Sequence, residues 1–351
     1  MAVGRMGGSI RSLLKWEHEL LPILSTRLRS PLAQAALSLG DSLREIRLRV
    51  GQDVQLVCQN KEEWVQLVGG PVTREDLWET LQLVSQMSVY AVEEQMKNGF
   101  ITVRGGHRIG LGGAVVAQRG QVVRLSHVTF MNIRVACEVI GAADQVVPRL
   151  IASCGKPDGK PEGKVHCKRD GRYVHSTLIV SPPGCGKTTL LRDLVRQISE
   201  GRPDLGLSGQ RVVVVDERSE IAACFDGVPQ NRVGPRTDVL DCCPKQIGLS
   251  MAVRSMGPQV VATDEIGSPD DCRAVAEAAL AGVAIIATVH GAGLADLITK
   301  HGLGELVQQA VFQRIVVLSS RRGPGTVEEV IELPAGGVRG VEGRRSAVAC
   351  V

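Results

Sequence analysis

The segment Thr177-Leu178-Ile179-Val180, continued by Ser181-Pro182-Pro183-Gly184-Cys185-Gly186-Lys187-Thr188-Thr189 and the helical run Leu190–Ile198, constrains this chain more than any other. A short apolar strand, a glycine loop and a helix in that order form a phosphate cradle. Gly184 and Gly186 let the backbone bend until its N–H groups converge, and a helix starting near Lys187 turns its positive end toward the same anion. Lys187 is expected to reach the β- and γ-phosphates of a nucleotide, and the Thr188 hydroxyl to ligate Mg²⁺. Ser181 stands where the full GxxxxGK[ST] pattern has its first glycine, a place that serine can occupy if its dihedrals are ordinary. The stretch Ser181 to Thr189, including Pro182, Pro183, Cys185 and Thr189, is therefore the expected ATP-binding loop.

Two acidic strand ends follow. Arg211–Val215 is apolar after its first residue and ends in Asp216-Glu217; Gln259–Thr263 ends in Asp264-Glu265. Strands buried on both faces of a parallel sheet read as continuous apolar runs, and ligands gather at their carboxyl ends. Ser268-Pro269-Asp270-Asp271 then caps a helix running to about Ala281, and the next strand, Ala284–Val289, ends in His290. This order assigns Asp264 and Glu265 to Mg²⁺ and places His290 where it can sense a γ-phosphate. Plainer readings stand beside these: Asp216 or Glu217 capping a turn, Asp264 and Glu265 as surface charges, His290 as a packed turn residue. Arg218, Arg232, Arg236 and Arg254 lie between the two acidic ends, and at most one or two of them are expected to touch nucleotide, from this subunit or a neighbour.

The remainder organises around that core. Apolar positions between Ser9 and Leu39 recur at helical spacing, cut by Pro22 and Pro31; Glu45–Val50 alternates as a half-buried strand; Thr73 caps a helix; and a helix over about Ala91–Lys97 ends at Asn98-Gly99. Arg104-Gly105-Gly106-His107-Arg108 reads as a hairpin turn between short strands. These features predict a small α+β domain over 1–152, a basic flexible linker over 153–176, the P-loop domain over 177–335 and a disordered tail over 336–351. Cys154, His166, Cys167 and His175 lack standard metal-ligand spacing, and the ten cysteines form no CxxC pair, so they read as reduced thiols. The formal charge is only +4, and of nine aromatic rings only Tyr173, Phe225 and Phe312 lie beyond residue 150, which leaves little for stacking bases. No apolar run is long enough to span a membrane and the first residues lack a signal-peptide pattern, so a cytoplasmic location is expected.

The segments SPPGCGKTTLLRDLVRQIS, VVVVDERSEIA, MAVRSMGPQVVATDEIG and AIIATVHG, with LREIRLRVGQDVQLV, VEEQMKNGFITVRGGHRIGLGG and NIRVACEVIGAADQVVPRLI upstream, resemble the stage III sporulation protein AA family, AAA-type relatives of the type II and type IV secretion ATPases. The resemblance spans roughly Leu43 to Leu333. The fold it implies is α/β, a RecA-like P-loop NTPase domain with a smaller α+β N-terminal domain. It also implies that Glu217, in the acidic box, polarises the attacking water, that Glu265 is the Walker B acid with Asp264 beside it, and that His290 is the histidine-box residue. By the same resemblance the chain is an ATPase acting as a homo-oligomer, a hexamer, with membrane proteins of a channel complex between mother cell and forespore, on the mother-cell side. Two other readings stay open on the residues alone: a nucleic-acid remodelling ATPase and a nucleotide-gated scaffold.

Overall fold

In the computed structural model, which describes residues 15–59, 61–86, 96, 99–118, 121–153, 171–334 and 345–347, the chain divides into two units, Met1–Cys137 and Glu138–Val351. The first unit opens with α1 (Lys15–Leu20) and α2 (Thr26–Leu39). Pro31 does not end the helical run as expected but sits inside α2. Proline removes one backbone donor there, while Leu28, Leu32, Ala36 and Leu39 keep an apolar stripe buried along the helix. Strands β1 (Leu43–Arg49), β2 (Val54–Cys58), β3 (Glu62–Val65), β4 (Phe100–Val103), β5 (His107–Gln118) and β6 (Gln121–Arg134) form an antiparallel sheet in the order β3-β2-β1-β6-β5-β4. Helix α3 (Arg74–Val84) begins at a capping box between Thr73 and Asp76. The Arg104–Arg108 segment is a hairpin turn; His107 is buried, its Nε2 2.8 Å from Glu19 Oε2. Apart from Met96, the helix expected over 91–97 lies outside the described residues.

The second unit begins before the predicted boundary at 152. Ala143, Val146, Val147 and Leu150 are buried in the core beneath the phosphate-loop helix, and the Ala143 N–H donates to Asp193 on that helix at 2.8 Å. These four positions carry no clear period, so composition assigned them to the wrong domain. Helix α4 (Val147–Leu150) leads to β7 (Ile151–Ser153), which pairs antiparallel with β8 (Arg172–Val174). Both ends of the expected linker are thus strands, and 154–170 lie outside the described residues.

The main sheet comprises β9 (Thr177–Ser181), β12 (Val212–Asp216), β13 (Thr237–Asp241), β14 (Val260–Glu265), β15 (Ala284–His290), β16 (Arg314–Ser319), β17 (Thr326–Glu332) and β18 (Arg345–Ala347). Between β9 and β12 lie α5 (Lys187–Glu200) and the small ladder of β10 (Gly201–Arg202) and β11 (Leu207–Ser208). The sheet order is β13-β12-β14-β15-β9-β16-β17-β18, parallel from β13 to β16. β18 pairs with β17, where a disordered tail was expected; the other tail residues lie outside the described ones.

Because side chains alternate along a strand, each apolar run feeds two cores. Ile179, Val212, Val214, Val260, Ala262 and Ile286 pack with Leu190, Leu191, Leu194, Val195 and Ile198 of α5. Leu178, Val180, Val213, Val215, Val261 and Ile285 face the opposite layer of α6 (Lys245–Met251), α7 (Pro269–Leu280), α8 (Leu294–Thr299) and α9 (Leu303–Gln308). With both faces covered, the strands' carboxyl ends are left to present polar groups. Among the described residues no helix is long and apolar enough to cross a membrane.

His175 joins β8 to β9. Its N–H donates to Leu150 O at 2.8 Å, its ring lies edge-on to Tyr173, and burial, with the nearby Arg314 cation, pushes its pKa down to about 4 from 6.5. The unfolded chain therefore takes this proton first: the His175 contribution to stability is complete above pH 6.5 and is lost as pH drops from there toward 4. In urea titrations across this range, His175→Gln is expected to reduce that slope. His107, whose pKa burial lowers despite Glu19, accounts for part of the remainder.

Candidate active site

All five residues of β9 are buried, and the chain leaves the strand at Ser181 into an exposed Pro182-Pro183-Gly184 turn before Cys185 dips back inside. Gly186, at φ +86°, is the residue before α5, and a Cβ there would lie 3.0 Å from Gly325 N. Glycine is required both by that left-handed conformation and by the close backbone of the β16–β17 turn. The Gly325 N–H also donates to Cys185 O at 2.9 Å, so this turn braces the loop. Lys187, Thr188 and Thr189 form the first turn of α5, where backbone N–H groups have no acceptor inside the helix and the dipole is positive.

The Lys187 ammonium is folded back onto its own loop. Nζ lies 3.0 Å from Ser181 O, 3.1 Å from Pro182 O, 3.3 Å from Ser181 Oγ and 2.9 Å from His290 Nδ1. His290 Nε2 lies 3.0 Å from Glu265 Oε2. A lysine can only donate, so the network assigns His290 as the neutral Nε2–H tautomer, accepting from Lys187 and donating to Glu265. Burial lowers the Lys187 pKa, with Glu265 and Cys185 acting the other way. Lys300 fixes the end of β15, donating to His290 O at 2.6 Å while paired with Asp296.

A second charged group occupies the ends of β12 and β14. Lys245, the first residue of α6 and only 4 % exposed, pairs with Glu217 and lies 2.8 Å from Asp264 Oδ1. Burial lowers its pKa, but the two carboxylates outweigh that and hold it above the ordinary lysine value. Asp264 is raised, first by burial, with Lys245 opposing. Its Oδ2 is buried without a hydrogen-bond partner among the described residues.

Asp216 has a different role from its neighbour. Fully buried, it accepts from the N–H groups of Glu220, Ile221 and Ala222 at 2.8, 3.0 and 2.9 Å. Burial pushes its pKa up to about 6, with those N–H groups opposing and Asp264 and Asp241 adding to the rise. Arg192 of α5 holds the same loop from its carbonyl side, donating to Glu220 O and Ile221 O, both at 2.7 Å. Ser219, Ala223 and Asp226 take positive φ in this stretch, a conformation uncommon outside glycine that persists where surrounding bonds dictate it.

The structure thus connects Lys187, His290 and Glu265 in one chain of contacts, and Glu217 with Asp264 in another. Asp216 is a turn cap. Two of the four arginines are tied to the far end of α5: Arg236 Nη1 donates to Ser199 O at 2.9 Å and Arg232 Nη2 lies 3.7 Å from Glu200. Lys245 and Arg192 escaped sequence reasoning because their partners lie 19 to 29 residues away. The one available signal was a lysine placed just after Pro244, at a helix start where cations are disfavoured. For Mg²⁺, the buried unpartnered Asp264 Oδ2 and the Thr188 hydroxyl suit an ion that binds one or two protein oxygens and otherwise water and phosphate. Among the described residues no cluster of three His, Cys, Asp or Glu side chains could hold a metal unaided.

These features define a P-loop ATPase fold of the secretion-ATPase type. The chain is similar to the ATPase DotB of Yersinia pseudotuberculosis (TM-score 0.53, 14 % identity, 85 % of this chain and 78 % of that one) and to the pilus retraction motor PilT solved with ADP (TM-score 0.51, 15 % identity, 82 % and 76 %). At such identities the likeness is one of fold. The chain belongs to the sporulation stage III, protein AA family, which it matches over residues 15–336. Stage III sporulation protein AA of Bacillus subtilis (strain 168) is 36 % identical over 318 residues, 90 % of this chain and 95 % of that protein.

Replacing Asp216 with asparagine leaves a buried amide that cannot accept from all three N–H groups without burying its own donors. Asp216→Asn is expected to lower stability by about 1–3 kcal/mol in denaturant unfolding and to speed amide hydrogen exchange at Glu220, Ile221 and Ala222.

Proposed function

We propose that this chain is the ATP-hydrolysing subunit of a ring-shaped motor, a hexamer, serving a membrane-embedded channel complex between mother cell and forespore. The observation that carries the reading is the Lys187–His290–Glu265 contact chain at the head of α5, beside a second pair of acids, Glu217 and Asp264, on the adjoining strand ends. The family and the secretion-ATPase fold support a motor; a peripheral place at a membrane assembly, on the mother-cell side, is what the sequence resemblance implies.

The chemistry follows from these residues. Phosphate oxygens are stronger acceptors for an ammonium than neutral carbonyls. An arriving ATP would therefore draw Lys187 away from Ser181 O, Pro182 O and His290, while the first-turn amides of α5 take further phosphate oxygens. His290 Nδ1, released from Lys187, would report that the γ-phosphate is in place. Glu217, 40 % exposed, has access to water and would accept its proton as the water oxygen bonds to the γ-phosphorus and the bond to ADP breaks. Thr188 and Asp264 would hold Mg²⁺ directly and Glu265 through water, and the ion would supply charge neutralisation on the phosphates.

The test is ATP turnover against protein concentration, with assembly size measured in the same samples. Wild-type turnover should rise with assembly. Lys187→Ala should lose nucleotide binding, and Glu217→Gln should bind ATP but turn over about 10²- to 10⁴-fold more slowly. Binding without wild-type turnover would instead favour a nucleotide-gated scaffold. Turnover that depends on single-stranded nucleic acid, with salt-sensitive affinity, would favour a remodeller.

A further inference from the structure

We propose that Lys245 is a positioning residue for ATP hydrolysis, holding the Glu217 carboxylate beside that of Asp264 at the ends of β12 and β14. The proposal deepens the reading given above and rests on it. Neither the phosphate-loop pattern nor the acidic strand ends call for a lysine here; the assignment comes from geometry alone.

Lys245 is not an ordinary surface ion-pair partner. Its side chain is 4 % exposed, and its ammonium touches two carboxylates at the ends of two strands at once. It also sits on the first residue of a helix, where the dipole opposes a cation. Burial and dipole both disfavour the charge, so the two carboxylates are what keep it there. The helix that carries it is anchored independently. The next residue, Gln246, donates to Asp271 Oδ1 at 2.7 Å, and Asp271 is part of the capping box of α7. The ammonium therefore approaches Glu217 from a fixed base.

Asp264 is held by its buried strand, but Glu217 lies beyond the end of β12 with a side chain 40 % exposed. Without Lys245, the like charge of Asp264 would favour its swinging out to solvent. The contacts expected to bind ATP belong to Lys187 and the α5 amides, not to Lys245. Loss of Lys245 should therefore impair turnover and leave ATP binding in place.

The experiment compares full-length wild type with Lys245→Met, Lys245→Gln and Lys245→Arg. It measures kcat and KM for ATP together with thermal unfolding of each protein. Lys245→Met is expected to lower kcat by about 10- to 100-fold, the effect of a misplaced catalytic group, with KM within about threefold of wild type. Lys245→Arg, which keeps the charge and can reach both carboxylates, is expected to recover most of the lost kcat. If Lys245→Met does not fold, the Gln and Arg variants decide: the proposal requires a depressed kcat in the first and a restored one in the second. Equal kcat in those two, an unchanged kcat in Lys245→Met, or parallel changes in kcat and KM would overturn the role of Lys245 while leaving ATP hydrolysis standing. A wild type that binds ATP without turnover overturns the proposed function itself, and this inference with it.

Discussion

Two buried ammonium groups, Lys187 and Lys245, organise the carboxyl edge of the parallel sheet. Each is less than one-tenth exposed, so each needs anionic or strongly polar partners in place of water. Lys187 finds them in loop carbonyls and in His290, and through His290 in Glu265. Lys245 finds them in Glu217 and Asp264. Four side chains from three separate strand ends are thereby drawn onto two fixed positive centres.

Strand order places an imidazole between the lysine and the glutamate. The phosphate-loop strand β9 does not neighbour β14; β15 lies between them. Strands in a sheet are spaced about 4.8 Å apart, so the ends of β14 and β9 are separated by roughly 10 Å. His290, at the end of the intervening strand and in register with Ser181, offers two ring nitrogens on opposite sides. One accepts from Lys187 and the other donates to Glu265, so one side chain links the groups on either side of β15.

The loop after β12 is held from two directions. Asp216 gathers three of its N–H groups, while Arg192, on α5, gathers two of its carbonyls. Glu217 is therefore tied through its own backbone to the helix that heads the phosphate loop, and through its side chain to Lys245 on α6.

Much of this was legible in the residues. The loop Ser181–Thr189, the acidic ends at Asp216-Glu217 and Asp264-Glu265, the Ser268 cap and the terminal His290 are local features, fixed by glycine conformations, capping chemistry and unbroken runs of buried β-branched residues. Whether Asp216 or Glu217 faces the site was not legible, because adjacent residues on a strand point opposite ways and only packing decides which is inside. The origin of the second unit was missed since Ala143, Val146, Val147 and Leu150 are recognisable as core only against α5. Pro31 misled because the buried stripe of α2 compensates for one lost backbone bond. The sequence by itself determined the glycine loop between β9 and α5 and the types of residue around it, since those depend on neighbours a few positions apart. Tertiary structure decided which charges meet: Lys245 with acids 28 and 19 residues away, and Lys187 with a histidine 103 residues on. Such pairings follow from strand order and helix placement, which no local stretch of chain encodes.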